Sequence, residues 1–277
     1  MNKYLIKRLD TFTLSKGINL FWSVLVIASL TACAVQKIKS GDPVFDQIQK
    51  ENWVKVFEDS GTKDWKEKWL LDGEKSTIFN DEKGMSLYAG PVHNDSCHTV
   101  LWTKESFAGD IMIQYEYTKI DTYNLNVTIL YLQATGEPPY SANIHEWSEE
   151  RRVPSMRTYF NNMNTLHISY AALSNSDSMR DYIRGRRYMP TLKKGLKGTR
   201  IGESYYNTGF FEKDIPHQIT VVKRKSTLYM WIKNKEQERL FTFPFSDFPS
   251  ITEGFIGFRH MNRRGARYKN IKVFLLK

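Results

Sequence analysis

Apolar side chains recur at every second position through much of this chain, and that period admits little besides β-sheet. In residues 111–117, Ile111, Ile113, Tyr115 and Tyr117 fall on one side, with Met112, Gln114 and Glu116 on the other. An extended strand sends successive side chains to opposite faces, so the pattern describes a strand with one face buried. Residues 53–57 (WVKVF) repeat it, and residues 124–133 and 165–171 read as two more strands. Residues 217–223 and 227–233 form a hairpin across the short polar turn 224–226. The C-terminal stretch 253–277 reads as two strands around a basic turn between Arg259 and Arg267. No long helical period separates these strands, which excludes an α/β fold and predicts an all-β sandwich of two antiparallel sheets. A chain of 277 residues forms one such domain.

The first residues follow a different logic. Lys3, Lys7, Arg8 and Lys16 precede an apolar run from Ile18 to Leu30, followed by LTAC at 30–33. A basic segment, a short apolar core and small residues before a cysteine describe a bacterial lipoprotein signal over residues 1–32. The run is too short for a transmembrane helix. Cys33 is then the lipidated first residue of a mature, exported protein tethered to a membrane. Residues 33–52, with SGDP at 40–43, read as a polar tether, and residues 53–277 as the folded domain. No acidic run follows Cys33, which favours an outer-membrane anchor with the domain facing the periplasm. The formal charge is +10, and removing four basic and one acidic residue leaves +10 − 3 = +7. Nucleic acid is not an expected partner outside the cytoplasm, so the basic balance points to anionic glycans. Cys97 is then the remaining thiol. It has no disulfide partner or metal-ligand spacing and reads as a small buried residue.

Residues 136–157 and 174–206 read as two long connections. The first holds Pro138, Pro139, Trp147, Arg151 and Arg152; the second holds Arg184, Arg186, Arg187, Lys193, Lys194, Tyr205 and Tyr206. Connections this long, rich in Arg and aromatics, are expected to carry function.

Several blocks then point to a family. HTVLWT at 98–103, FAGD at 107–110, MNTLHISY at 163–170, IGFRHM at 256–261 and YKN at 268–270 resemble the YesU-like bacterial family in their order across residues 53–277. These are concanavalin-A-like jelly-roll proteins, often encoded among pectin- or algal-polysaccharide-degradation genes. Two positions depart from the family pattern: Ala171 and Ala172 stand where basic residues are usual, and His260 where Gln is usual. The resemblance implies a sugar ligand. By analogy with related jelly rolls it implies elimination across C4–C5 of uronate residues in ulvan-like or pectin-like oligosaccharides, as a lyase or a dehydratase. A non-catalytic carbohydrate-binding lipoprotein and a glycoside hydrolase remain as alternatives. The acidic spacing of β-glucanases with this fold is not found in the sequence. No cofactor is called for, and a structural calcium is left open.

Elimination needs a cation on the carboxylate, a base at C5 and an acid for the oxygen leaving C4. His98, His167 and His260 lie in strands within the family blocks and are the acid/base candidates, since imidazole titrates near neutrality. His167 shares a strand face with Ser169 and Ala171, opposite Leu166, Ile168 and Tyr170, and so points away from the core. His260, at the start of the basic turn, is expected at a rim. Tyr206 is the candidate acid. Arg259, Arg186 and Arg187 are the carboxylate candidates, because a guanidinium matches a carboxylate with two bonds. Asn126 and Trp147 are expected to meet a sugar hydroxyl and a ring face. His93, His145 and His217 read as solvated.

Overall fold

The computed structural model describes residues 40–173 and 181–277. In chain order the elements are α1 (Pro43–Ile48), β1 (Trp53–Asp59), β2 (Trp69–Asp72), β3 (Thr77–Asp81), β4 (Gly84–Tyr88), β5 (Thr99–Ala108), β6 (Ile111–Lys119) and β7 (Asn126–Gly136). There follow α2 (Met156–Asn162), β8 (Met163–Leu173), β9 (Asp181–Tyr188), β10 (Arg200–Tyr206), β11 (Pro216–Arg224), β12 (Thr227–Lys233), β13 (Glu238–Pro244), β14 (Glu253–His260) and β15 (Gly265–Leu276). The first sheet runs β13-β12-β11-β6-β15-β4-β3, with β1 also paired to β15. The second runs β10-β9-β8-β7-β14-β5-β2. Every pairing is antiparallel.

The alternation fixes which faces meet. Ile111, Ile113, Tyr115 and Tyr117 of β6 pack against Leu130 and Leu132 of β7, Leu166, Ile168 and Tyr170 of β8, and Ile256 and Phe258 of β14 in one core between the sheets. Truncating any of the buried aliphatic members to Ala is expected to cost about 2–5 kcal/mol. The strands and hairpin expected from the sequence are present, with ends displaced by a few residues.

Two expectations fail. Residues 43–52 are not all tether: Asp42 caps the short helix α1, accepting from the amides of Val44 and Phe45. Phe45 and Ile48 pack on Tyr229, Trp231 and Met112 at the outer face of the first sheet. Residues 174–206 are not one connection, because β9 and β10 lie within it and form the edge of the second sheet. The sheet pattern was hidden because the inward positions of β9 are Ile183, Gly185 and Arg187. A side chain at Gly185 would collide with Phe243 and Ile201, which fill that volume from other strands. Cys33 and residues 1–32 lie outside the described residues.

Candidate functional site

The outer face of the second sheet is covered along part of its width. Residues 144–151 form a 3-10 segment and residues 156–162 form α2, and together they lie over β2, β5, β7 and β14. Their Ile144, Trp147 and Tyr159 pack on Trp102, Ile129, Tyr131 and Phe255. Gly257 allows this, since any Cβ there would strike the Trp102 ring at 2.5 Å. Beneath the cover, Asp72 Oδ2 accepts from Trp102 Nε1 at 2.7 Å, Arg151 Nε at 2.6 Å and Tyr159 OH at 2.9 Å.

Beyond the cover, toward β8, β9 and β10, the same face opens into a cleft of about 210 Å³. Register assembles it. One cross-strand row runs Arg200–Arg186–His167–Tyr131, and the next runs Ser204–Arg184–Ser169–Ile129–Arg259. Side chains level with one another on a face are neighbours, so the pairing gathers residues from distant parts of the chain. His167 forms the floor at 1% exposure. Its Nε2 meets Ser169 Oγ at 2.8 Å, and its Nδ1 has no partner. Its ring stands edge-on to Tyr188 at 5.0 Å and to Tyr131 at 5.7 Å. Burial, and then the charges of Arg186, Arg259 and Arg184, hold His167 well below the usual imidazole range. The imidazole is therefore neutral at pH 7.

Arg184 donates from Nε to Ser204 Oγ at 2.7 Å and from Nη2 to Tyr206 OH at 3.1 Å, with its guanidinium 4.5 Å from the Tyr182 ring. Arg186 donates from Nη1 to Leu196 O at 3.2 Å and Thr199 Oγ1 at 3.0 Å, and burial lowers its pKa. These acceptors are all neutral. Among the described residues neither arginine has a carboxylate within ion-pair distance, and neither Asp nor Glu lines the cleft. Asn126 supplies the opposite wall. It is held at φ +66° where Arg264 donates to its carbonyl, and its Nδ2 lies 3.5 Å from His93 Nδ1. Leu196, Met156 and Met261 complete the rim.

His167, Arg186 and Asn126 thus share one cleft, and Tyr206, 37% exposed, stands at its edge through Arg184. Arg184, named in the sequence only as part of the second long connection, completes it together with Tyr182 and Tyr188. A strand pattern over 182–188 would have shown that Arg184 and Arg186 share a face while Arg187 does not.

The remaining expectations are corrected. Arg187 points between the sheets, where its guanidinium donates to the carbonyls of Pro249 and Tyr188, and burial lowers its pKa to about 10. Arg259 lies on the outer face but is sealed under Tyr159, whose ring is 4.5 Å away. It donates to Pro154 O at 2.6 Å and to His98 Nδ1 at 2.8 Å. A guanidinium only donates, so that nitrogen of His98 carries no proton. Burial and then Arg259 lower the His98 pKa to about 3. His260 is at no rim: it is fully buried, its Nε2 2.7 Å from Tyr268 OH, with its pKa lowered to about 3 by burial and then by Arg264. Trp147 offers no free face, since Tyr140 stacks on it at 4.5 Å and Arg151 lies 4.2 Å from its centroid. Ala171 leaves the His167 face because it takes φ +44° at a register shift and turns into the core. His217 is buried with its pKa lowered to about 4, and His145 is half-buried with a bond to Thr103 O at 3.0 Å, so neither is freely solvated. Cys97 is buried, as expected. Among the described residues no group of three or more His, Cys, Asp or Glu is arranged to hold a metal ion.

The family model described as a domain of unknown function (DUF1961) matches residues 58–273, and the chain belongs to that family. It is similar to the uncharacterized protein YesU of Bacillus subtilis, at 23% identity over 208 residues covering 74% of this chain and 88% of YesU. Among solved structures, a Bacillus subtilis protein of unknown function with a galectin-like fold superposes with a TM-score of 0.62 at 18% identity, covering 82% of this chain and 99% of that one. The basic winged bean lectin, solved with Tn-antigen, gives a TM-score of 0.53 at 6% identity, covering 80% and 98%. The fold is that of the concanavalin-A-like jelly rolls, and the expected YesU-like family is the one found.

Proposed function

We propose that this member of the DUF1961 family binds an acidic sugar, with the carboxylate between Arg184 and Arg186 and the ring over His167. The single observation that carries this is a pair of half-buried guanidinium groups at one cleft with, among the described residues, no carboxylate within ion-pair distance. Partly desolvated cations that lack a protein anion favour a ligand anion, and charge-assisted bonds to Arg are among the stronger hydrogen bonds. Ser169, Ser204 and Asn126 add hydroxyl and amide groups suited to a sugar. The cleft is smaller than the roughly 300–1,000 Å³ of drug-sized sites, which suits one ring rather than several. The lectin-like fold supports the sugar class. Calorimetric titration with glucuronate and with glucose tests it: glucuronate should bind, and glucose should bind far more weakly. Equal binding of both would remove the arginines from recognition.

A second reading, elimination at the bound uronate, is favoured by the free Nδ1 of a neutral His167. That nitrogen, buried in the unliganded chain and needing to be uncovered as the sugar binds, would take the C5 proton, the C–H electrons would form the C4–C5 double bond, and the oxygen leaving C4 would gain a proton from Tyr206 OH. If the oxygen bridges two sugars the chain is cut; if it is a free hydroxyl, water departs. Growth of the ultraviolet absorbance of an unsaturated uronate, followed by mass spectrometry for chain scission or loss of water, tests it. Glycoside hydrolysis finds no paired carboxylates among the described residues of this cleft. Export and lipid anchoring through Cys33 belong to the proposal as well, and mass spectrometry of the mature N-terminus for a lipidated cysteine tests them.

A further inference from the structure

The loop that walls the cleft carries a charge pattern that a single sugar does not use. From Tyr182 to Gly202 the chain has seven basic residues and no Asp or Glu. Arg187 is buried with its guanidinium on backbone carbonyls. The other six are Arg184 and Arg186 in the cleft, and Lys193, Lys194, Lys197 and Arg200 exposed beside it. Among the described residues none of the six forms an ion pair within 4.0 Å, although ion pairs occur elsewhere in both sheets. Such a run of like charge is self-repelling, and the segment is nonetheless held in place. Lys193 N and Leu192 N donate to Met189 O, Thr199 N donates to Leu196 O, Arg187 N donates to Thr199 O, and Asn161 of α2 accepts from Gly195 N at 3.0 Å. Arg186 fixes the same loop through Leu196 O. The cations are thus presented on an ordered platform contiguous with the cleft, since Leu196 lines the cleft and Lys197 follows it.

We infer that the natural ligand is a polyanionic glycan chain: one acidic residue occupies the cleft, and its neighbours run along Lys193, Lys194, Lys197 and Arg200. This rests on the acidic-sugar reading of the cleft and extends it to the rest of the chain. Several exposed cations acting on a repeating anion give an affinity that grows with chain length and falls with salt, whereas a monosaccharide meets only the cleft.

The test is titration of the full folded domain with glucuronate and with an oligoglucuronate at several salt concentrations. It is repeated in the combined variant Lys193→Gln, Lys194→Gln and Lys197→Gln, all exposed positions whose change leaves the core intact. The wild type should bind the oligomer more tightly than the monomer, with affinity falling as salt rises. The variant should lose about tenfold on the oligomer, with a shallower salt dependence, and keep its affinity for glucuronate. An oligomer bound no better than the monomer, or a variant with unchanged oligomer affinity, overturns the track while leaving the cleft standing. A wild type that binds the oligomer but not the monomer overturns the cleft reading instead. A sulfated neutral oligosaccharide distinguishes sulfate from carboxylate as the repeating acid, and binding of either supports the track. Single-stranded DNA or anionic phospholipid vesicles bound as tightly, with the same loss in the variant, overturn the assignment to a glycan.

Discussion

The covered and open parts of one sheet face treat buried charge in opposite ways. Under residues 144–162, Asp72 receives an indole from the neighbouring strand and a guanidinium and a phenol from the cover, and the last two bonds tie the cover to the sheet. Further across the same sheet face, Arg184 and Arg186 rest on serine, threonine, tyrosine and carbonyl oxygens, with no anion supplied among the described residues. In the first arrangement the chain itself supplies the counter-charge, Asp72 for Arg151. The second leaves positive potential in a partly dry cleft, where an acidic ligand is the natural complement. Among the described residues Arg187 and Arg259 also lack a carboxylate within ion-pair distance but are sealed from solvent, so it is an unpaired cation opening onto a cleft that marks a site.

The comparison breaks most sharply at Asp72. Asp72→Ala leaves Arg151 buried without an anion, and denaturant unfolding should show a loss of roughly 3–5 kcal/mol. A loss under 1 kcal/mol would mean the cover is not tied down there. Acid acts on several buried imidazoles at once. His98 and His260 titrate near 3 and His217 near 4 in the folded chain, against about 6.5 when unfolded. Below 6.5 the unfolded chain binds more protons, so stability is full above that pH and falls as pH drops toward 4 and then 3. Each imidazole should contribute about 1.4 kcal/mol per pH unit within its window, and His217→Asn should flatten the measured slope by about that amount.

On the open side, Arg184→Gln with Arg186→Gln should weaken glucuronate binding about ten- to hundredfold by calorimetry. Both residues are partly exposed, so the melting temperature should move by no more than a few degrees. The smallest effect separates the two functional readings. Tyr206→Phe removes one hydroxyl at the cleft edge and should change glucuronate affinity only a few-fold. Under elimination the same variant should abolish formation of the unsaturated sugar while binding survives.

Much of the sandwich was legible in the sequence because burial of one face imposes a two-residue period. That period placed Ile111, Ile113, Tyr115 and Tyr117 together and set His167 on the other side from Leu166 and Ile168. It failed at β9, where Gly185 and Arg187 stand at inward positions and the missing volume comes from Ile201 and Phe243. Alternation also overreached at Ala171, where one residue in the left-handed region turns the side chain across the sheet.

The chain's own order of residues determined the two-faced strands, the family and the outward setting of His167, all of which are local or linear properties. Which histidines are shut away, which arginines lack a counter-charge and where the cover ends were decided only by tertiary pairing. His98, His167 and His260 look alike as letters, yet one accepts from Arg259 beneath the cover, one floors the cleft and one lies between the sheets. Cross-strand register and the lie of residues 144–162 join positions up to a hundred residues or more apart, and solvent access, on which imidazole and guanidinium chemistry depends, is set by those distant contacts.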